Sequence, residues 1–139
     1  MTGSPEVVSF RTLRHDPYSA ITEPGVMVVR DQRTWDELRT ASTAHLAPRP
    51  TLPLVDWADH MLIAVALGFR PSAGYSVEIR RLTLQGNVLT VHAQEDRPGP
   101  ETFTADVITH PVLVVSTARR DAEVMLEMMT VTSDLRDTP

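Results

Sequence analysis

The chain has 139 residues, 42% hydrophobic and 22% charged, which is one domain of ordinary globular polarity and excludes wholesale disorder. It has no cysteine, so disulfides, thiolate nucleophiles and Cys-based zinc or iron–sulfur sites are excluded, and because all 13 basic residues are arginine there is no Schiff-base or P-loop lysine. The formal charge of −5 weighs against a nucleic-acid footprint, and the longest apolar run, Met61 to Leu67, is too short for a membrane span.

The opening residues Met1 to Glu6 carry neither a basic region nor an apolar one, so a cytoplasmic chain without a signal peptide is expected. Val7 to Leu13 mixes β-branched residues with rough alternation and predicts one strand. Turn residues follow at His15 to Ser19 and at Glu23-Pro24-Gly25, with Tyr18 and Ile21 free to tuck against a core. Val26 to Arg30 predicts a second short strand. Thr34-Trp35-Asp36-Glu37 fits a capping box opening a helix from Thr34 to about His45, anchored by Trp35 and Leu38. Pro48, Pro50 and Pro53 forbid its continuation.

The run from His60 to Phe69 is dense and apolar, consistent with a central strand covered on both faces; its lack of alternation also allows a buried helix, but Gly68 and Pro71 end it at strand length. Tyr75 to Leu84 alternates, with Tyr75, Val77 and Ile79 inward. Gln85-Gly86-Asn87 is hairpin chemistry, and Val88 to Ala93 returns with Leu89, Val91 and Ala93 on one face. Glu95 to Glu101 reads as a rigid charged loop. Phe103 to Thr109 and Val112 to Thr117 predict strands around a His110-Pro111 break. Asp121 caps a short helix carrying Val124, Met125, Leu126, Met128 and Met129, although Met129-Thr130-Val131-Thr132 also suits a strand, and Arg119-Arg120 before it reads as a solvated pair. The expected fold is a single α+β domain over residues 1–139, mainly β. It is an antiparallel, sandwich-like or partly barrelled sheet with one inserted helix.

Gly68 to Tyr75 joins two apolar strands, and its Pro-x-x-Gly order fixes φ at Pro71 while releasing it at Gly74. Such a loop suits recognition, with Arg70, Ser72 and Tyr75 offering contacts; the alternative is a plain connection in which Tyr75 packs. Arg97 and Pro98 provide a second contact if their loop lies at the same sheet end. The five histidines, His15, His45, His60, His92 and His110, form no metal-ligand spacing, and no Gly-x-Ser-x-Gly elbow is present. Asp56, Asp59 and His60 allow a base–orienter pair, against which stands a capped turn ahead of the central strand.

Asp56-Trp57, then Met61 to Gly68, then Pro71-Ser72-Ala73-Gly74-Tyr75 leading into Val77 and Ile79, resembles the PrcB C-terminal domain family. Leu89-Thr90-Val91 with Arg97-Pro98-Gly99-Pro100, and Thr109-His110-Pro111 before Val112 to Val115, resemble its later strands and Pro-Gly loop. The Tyr18 to Ile21 turn and the Trp35 helix resemble the segment ahead of it. The likeness runs from about Phe10 to Ser116 and leaves 117–139 as an extra tail. Ala73 replaces a family glycine, and Val112 stands where an aromatic often follows the proline. The resemblance implies a non-catalytic protein-binding module associated with or stabilising a protease complex, in a family whose members are often exported and whose named member is a lipoprotein subunit of a surface protease complex. The partner-binding residues expected are Arg70, Pro71, Ser72, Gly74, Tyr75, Arg97 and Pro98, with no cofactor and no metal.

Two other readings stand beside this one. Arg70 to Tyr75 is also similar to the Pro-x-x-Gly-Tyr loop of chagasin-like cysteine-protease inhibitors. A small hydrolase or metal enzyme would need distant residues to converge. Methionine-rich faces adapt to partners, so Val124 to Met129 is either packed tail or a homodimer surface.

Overall fold

The computed structural model describes residues 5–16, 19, 21–43, 54–100 and 104–132. Among them are β1 (Glu6–Val8), β2 (Phe10–Asp16), β3 (Gly25–Val29), α1 (Gln32–Thr43), β4 (His60–Ala66), β5 (Ser76–Gln85), β6 (Val88–Arg97), β7 (Val112–Ala118) and β8 (Glu123–Thr132). They form two four-stranded sheets, ordered β1-β5-β6-β8 and β2-β7-β4-β3, with no closed barrel. The fold is mainly β with one short helix, as the strand count implied.

The unbroken apolar sequence of β4 follows from layering. Met61, Ile63 and Val65 face the first sheet, where they meet Val77, Leu82, Leu89 and Val91. Leu62 and Ala64 point the other way, onto Trp35 with Leu38 and Trp57 beside it. Sheet β2-β7-β4-β3 is therefore the middle layer, covered by the first sheet on one face and α1 on the other, and every β4 residue from Met61 to Ala66 is buried. The first sheet has one covered face only, so β5 and β6 alternate; Leu89, Val91 and Ala93 are the inward set.

β5 and β6 join through Gly86 and Asn87, with Gln85 paired to Val88. Gly86 has φ +60 and Asn87 does not share its positive φ, which is the order of a type II′ turn.

Several expectations need correction. The strand predicted at Val7 to Leu13 is two strands: β1 pairs with β5 in the first sheet, whereas β2 pairs with β7 in the second. The chain crosses at Ser9, whose carbonyl accepts from Thr117 Oγ1 at 2.8 Å. Val8 and Phe10 both face the shared core, so alternation continues through the crossing and hides it.

The helix begins at Gln32, and the Thr34–Glu37 capping box does not form. Asp31 is the cap: its Oδ1 accepts from the Thr34 amide at 2.7 Å and its carbonyl from the Trp35 amide at 3.1 Å. Hydrogen bonds from the backbone and then the side chain of Thr34 hold the Asp31 carboxyl below its ordinary range. Glu37 instead pairs with Arg33 one turn back. Trp35 and Leu38 anchor the helix as expected; Tyr18 and His45 lie outside the described residues.

Glu95, Asp96 and Arg97 belong to β6 rather than to a loop, and 104–108 form no strand, Thr109 making only an isolated bridge. The tail is strand β8, and it runs parallel to β6, unlike the other strand pairs. Parallel neighbours need a crossover, and β7, in the opposite sheet, supplies it. Arg119 is not merely solvated, since its Nη1 donates to the carbonyls of Arg30 at 2.7 Å and Trp57 at 3.0 Å. Among the described residues no helix is long and apolar enough to cross a membrane.

Candidate functional site

β4 delivers the chain to one end of the sandwich, where the loop 67–75 is stitched to 105–111. The Leu67 amide donates to the Pro111 carbonyl at 3.0 Å. Arg70 and Thr109 exchange two backbone hydrogen bonds, at 2.8 and 2.9 Å. Thr109 Oγ1 donates to the Ser72 carbonyl at 3.1 Å, and the Ala73 amide to the Ala105 carbonyl at 3.0 Å. Gly74 has φ +95, and a Cβ on it would lie 2.8 Å from Thr104 Cγ2 and 3.2 Å from Pro98 Cβ. The Pro-x-x-Gly loop and the Arg97-Pro98 turn therefore share one end of the sheets and touch.

Arg70 is turned inward. Its Nε and Nη2 donate to Glu95 Oε2 and Oε1 at 2.7 and 3.0 Å, and Nη1 to the Phe69 carbonyl at 2.7 Å. Its guanidinium carbon lies 5.9 Å from the centroid of the Tyr75 ring. Arg97 adds longer contacts to the same carboxylate, at 3.2 and 3.4 Å. Burial alone would push the Glu95 carboxyl up; hydrogen bonds from Arg70 and then Arg97 outweigh it, and the group sits below its ordinary range. Donating to the Glu95 carboxylate raises Arg70 in turn. The fork of donors offered by the sequence is thus a brace that fixes the loop onto β6.

What these two loops present outward is largely apolar, with Asp106 the exposed charge among the described residues 104–110. Residues flanking the Arg70–Thr109 bridge alternate to the opposite side, which sets Phe69 beside His110 and Pro71 beside Ile108. Phe69 and His110 meet edge to face, 6.4 Å between ring centroids. Phe69 is 55% exposed, Ile108 57% and Val107 40%, and Pro71 is exposed too. Ser72 and Tyr75 are half-buried behind this tip, Gly74 is exposed, and Arg97 keeps an exposed face.

Phe69, Val107 and Ile108 were absent from the expected contact set. Phe69 reads as the last residue of an apolar run, and Val107-Ile108 as strand. The available signal was a large apolar residue trapped between Gly68 and the Arg70-Pro71 pair, outside any repeating pattern.

Two of the histidines have neighbours that bear on the base–orienter reading. His60 and Asp56 line a cleft of about 680 Å³ at the other end of the sandwich, also bordered by Phe10, Arg11, Ser116 and Arg120. Asp56 Oδ1 is taken by the Ala58 amide at 3.1 Å, the capped turn ahead of β4. His92 lies on the outer face of the first sheet, its Nε2 2.8 Å from Thr83 Oγ1 and its Nδ1 3.8 Å from Glu127. Among the described residues no three His, Asp or Glu side chains cluster as a metal site.

Comparison with known proteins gives one finding. Residues 61–118 match the family model described as PrcB C-terminal. No curated protein and no solved structure gives a match. The matched span runs from β4 through β7, so it holds the two inner strands of each sheet together with both loops of the apolar tip. The Tyr18 to Ile21 turn and the Trp35 helix lie outside it.

Proposed function

Starting from the PrcB C-terminal domain that this chain carries over residues 61–118, we propose that it is a non-catalytic module that docks on another protein through the tip formed by Phe69, Pro71, Val107 and Ile108. One observation carries the reading: large apolar side chains are held in solvent on loops that are otherwise fully stitched. Clustered exposed apolar groups favour a partner, and a preformed surface loses little entropy when it binds. Pro71 belongs to the contact, Tyr75 forms its polar edge, and Ser72, Gly74 and Pro98 set its shape. Arg70 is a positioning residue through Glu95, and Arg97 offers a charged rim. Association with a protease complex is the family expectation for the partner.

The test is capture of partners from the source cell, with each identified by mass spectrometry and then purified for direct titration. Phe69→Asp and Ile108→Asp should each weaken binding at least tenfold while the thermal midpoint holds, as expected for hot-spot residues. Unchanged affinity in both variants would overturn the reading.

A second reading rests on the contact between Gly74 and Pro98, since several loops at one sheet end is what a chagasin-like inhibitor needs. Inhibition of papain-like proteases at micromolar concentration, lost in Tyr75→Ala, supports it; none across a protease panel removes it.

A further inference from the structure

Two sheets of four strands have four edges, and three of them are blunted. β1 is 3 residues long. β3 has 5 residues and starts at Gly25 directly after Pro24. β2 carries Arg11 and Arg14 and a register shift between Thr12 and Arg14. Short strands, charges and bulges are the usual protection of an edge. β8 is neither short nor bulged, and its only charges are Glu123 and Glu127. It is 10 residues long, pairs with β6 in unbroken register from Glu123 to Thr132, and contains no proline and no basic residue. Its outer edge meets no strand among the described residues, while Met125, Met128, Met129 and Val131 are 52%, 38%, 49% and 40% exposed.

We propose that β8 is a homodimer interface, on which a second copy pairs its own β8 antiparallel to make one continuous eight-stranded sheet. The sequence of the strand selects both the occupant and the register. A two-fold pair needs a strand compatible with itself, side chains of like face opposite one another, and no like charges in contact. Centring on Glu127 sets the two Glu127 carboxylates face to face. Centring on Met128 pairs Met125 with Val131, Leu126 with Thr130 and Glu127 with Met129 of the other copy, and Glu123 falls beyond the paired stretch. That register spans Val124 to Thr132, a longer stretch than registers centred on Leu126 or Met129 allow within the strand, sets Met125 against Val131 and Met128 against itself, and opposes no two charges.

The absence of cysteine makes the test sharp. In the Met128-centred register the two copies of residue 128 lie directly opposite, with Cα atoms about 4.5–5.5 Å apart, inside disulfide range. Met128→Cys should therefore cross-link to a covalent dimer under mild oxidation, whereas Glu127→Cys and Met129→Cys, each displaced by two residues from its own copy, should not. Sedimentation of the unmodified chain should show a monomer–dimer equilibrium. Met129→Lys, facing Glu127 of the other copy twice, should tighten it roughly fivefold, and Met129→Glu should loosen it by a similar factor. A monomer at millimolar concentration, or faster cross-linking in Glu127→Cys than in Met128→Cys, would overturn the proposal. Phe69→Asp should leave the dimer intact, so this interface and the loop tip succeed or fail separately.

Discussion

Glu95 receives the Arg70 guanidinium side-on, Nε at 2.7 Å and Nη2 at 3.0 Å, with its own side chain only 4% exposed. The pair ties the end of β6 to a loop that left the other sheet at β4, so it spans the two layers where their hydrophobic contact ends. Removing one partner strands the other. Glu95→Gln and Arg70→Ala are each expected to cost about 2 kcal/mol, the scale of a hydrogen bond to a charged group. The double variant should cost clearly less than the sum, since both changes break one interaction. Urea denaturation of the four proteins checks this, and simple additivity would show that the pair does not couple the layers.

The same carboxylate makes stability depend on acid. Glu95 sits below its ordinary value of 4.5 in the folded chain, so its contribution is complete above that value and is lost as pH falls through the folded one. Glu95→Gln lacks the ionisation. The stability gap between the two proteins should therefore be full at pH 6–7 and shrink as the pH falls below about 4.5. Denaturation midpoints measured across this range test it, and a gap that stays constant down to pH 3 would contradict it.

Gly74 is the joint between the two tip loops. An added Cβ there meets both an unfavourable φ of +95 and Thr104 Cγ2 at 2.8 Å. Gly86, at φ +60, has open space around it and isolates the backbone share. Gly74→Ala is expected to cost about 1–3 kcal/mol, and more than Gly86→Ala. It should also shift the amide resonances of Thr104 and Gly99, which Gly86→Ala should leave in place. Equal costs, or no change near Thr104, would separate Gly74 from the Pro98 loop.

Much of this was readable in advance because local pattern and tertiary structure agree. The continuous apolar run of β4 announced burial on both faces, Gly86-Asn87 announced the hairpin, and Pro71 with Gly74 announced a shaped loop, while its nearness to the Arg97-Pro98 turn was only a condition that the structure meets. The misreadings share a cause. Alternation records which side of a strand is buried, not which sheet it joins, so the crossing at Ser9 was invisible. A strand of Met, Leu and Val with glutamates one turn apart satisfies helical and extended periods alike, and only the groove beside β6 settles β8. Charge was equally ambiguous: Glu95 and Arg70 look like surface groups because their pairing spans 25 residues of sequence. Phe69 reads as the end of an apolar run and Ile108 as part of a strand, and neither pattern shows that the bridge at Arg70 and Thr109 turns them outward.

Layering also gives the chain an internal reporter. It contains two tryptophans, and both Trp35 and Trp57 pack on the helix side of the middle sheet, none on the side facing the first sheet. Leu62 and Ile63 are adjacent in β4 and fully buried, yet they face opposite layers. Leu62→Ala and Ile63→Ala should each cost about 2–5 kcal/mol as large-to-small core changes. Only Leu62→Ala opens space next to Trp35, so it alone should shift the native tryptophan emission to longer wavelength. Ile63→Ala should leave that emission unchanged while lowering the urea midpoint comparably. If both variants shifted the spectrum alike, the sheet would not separate two independent cores, and the burial of β4 would need another explanation.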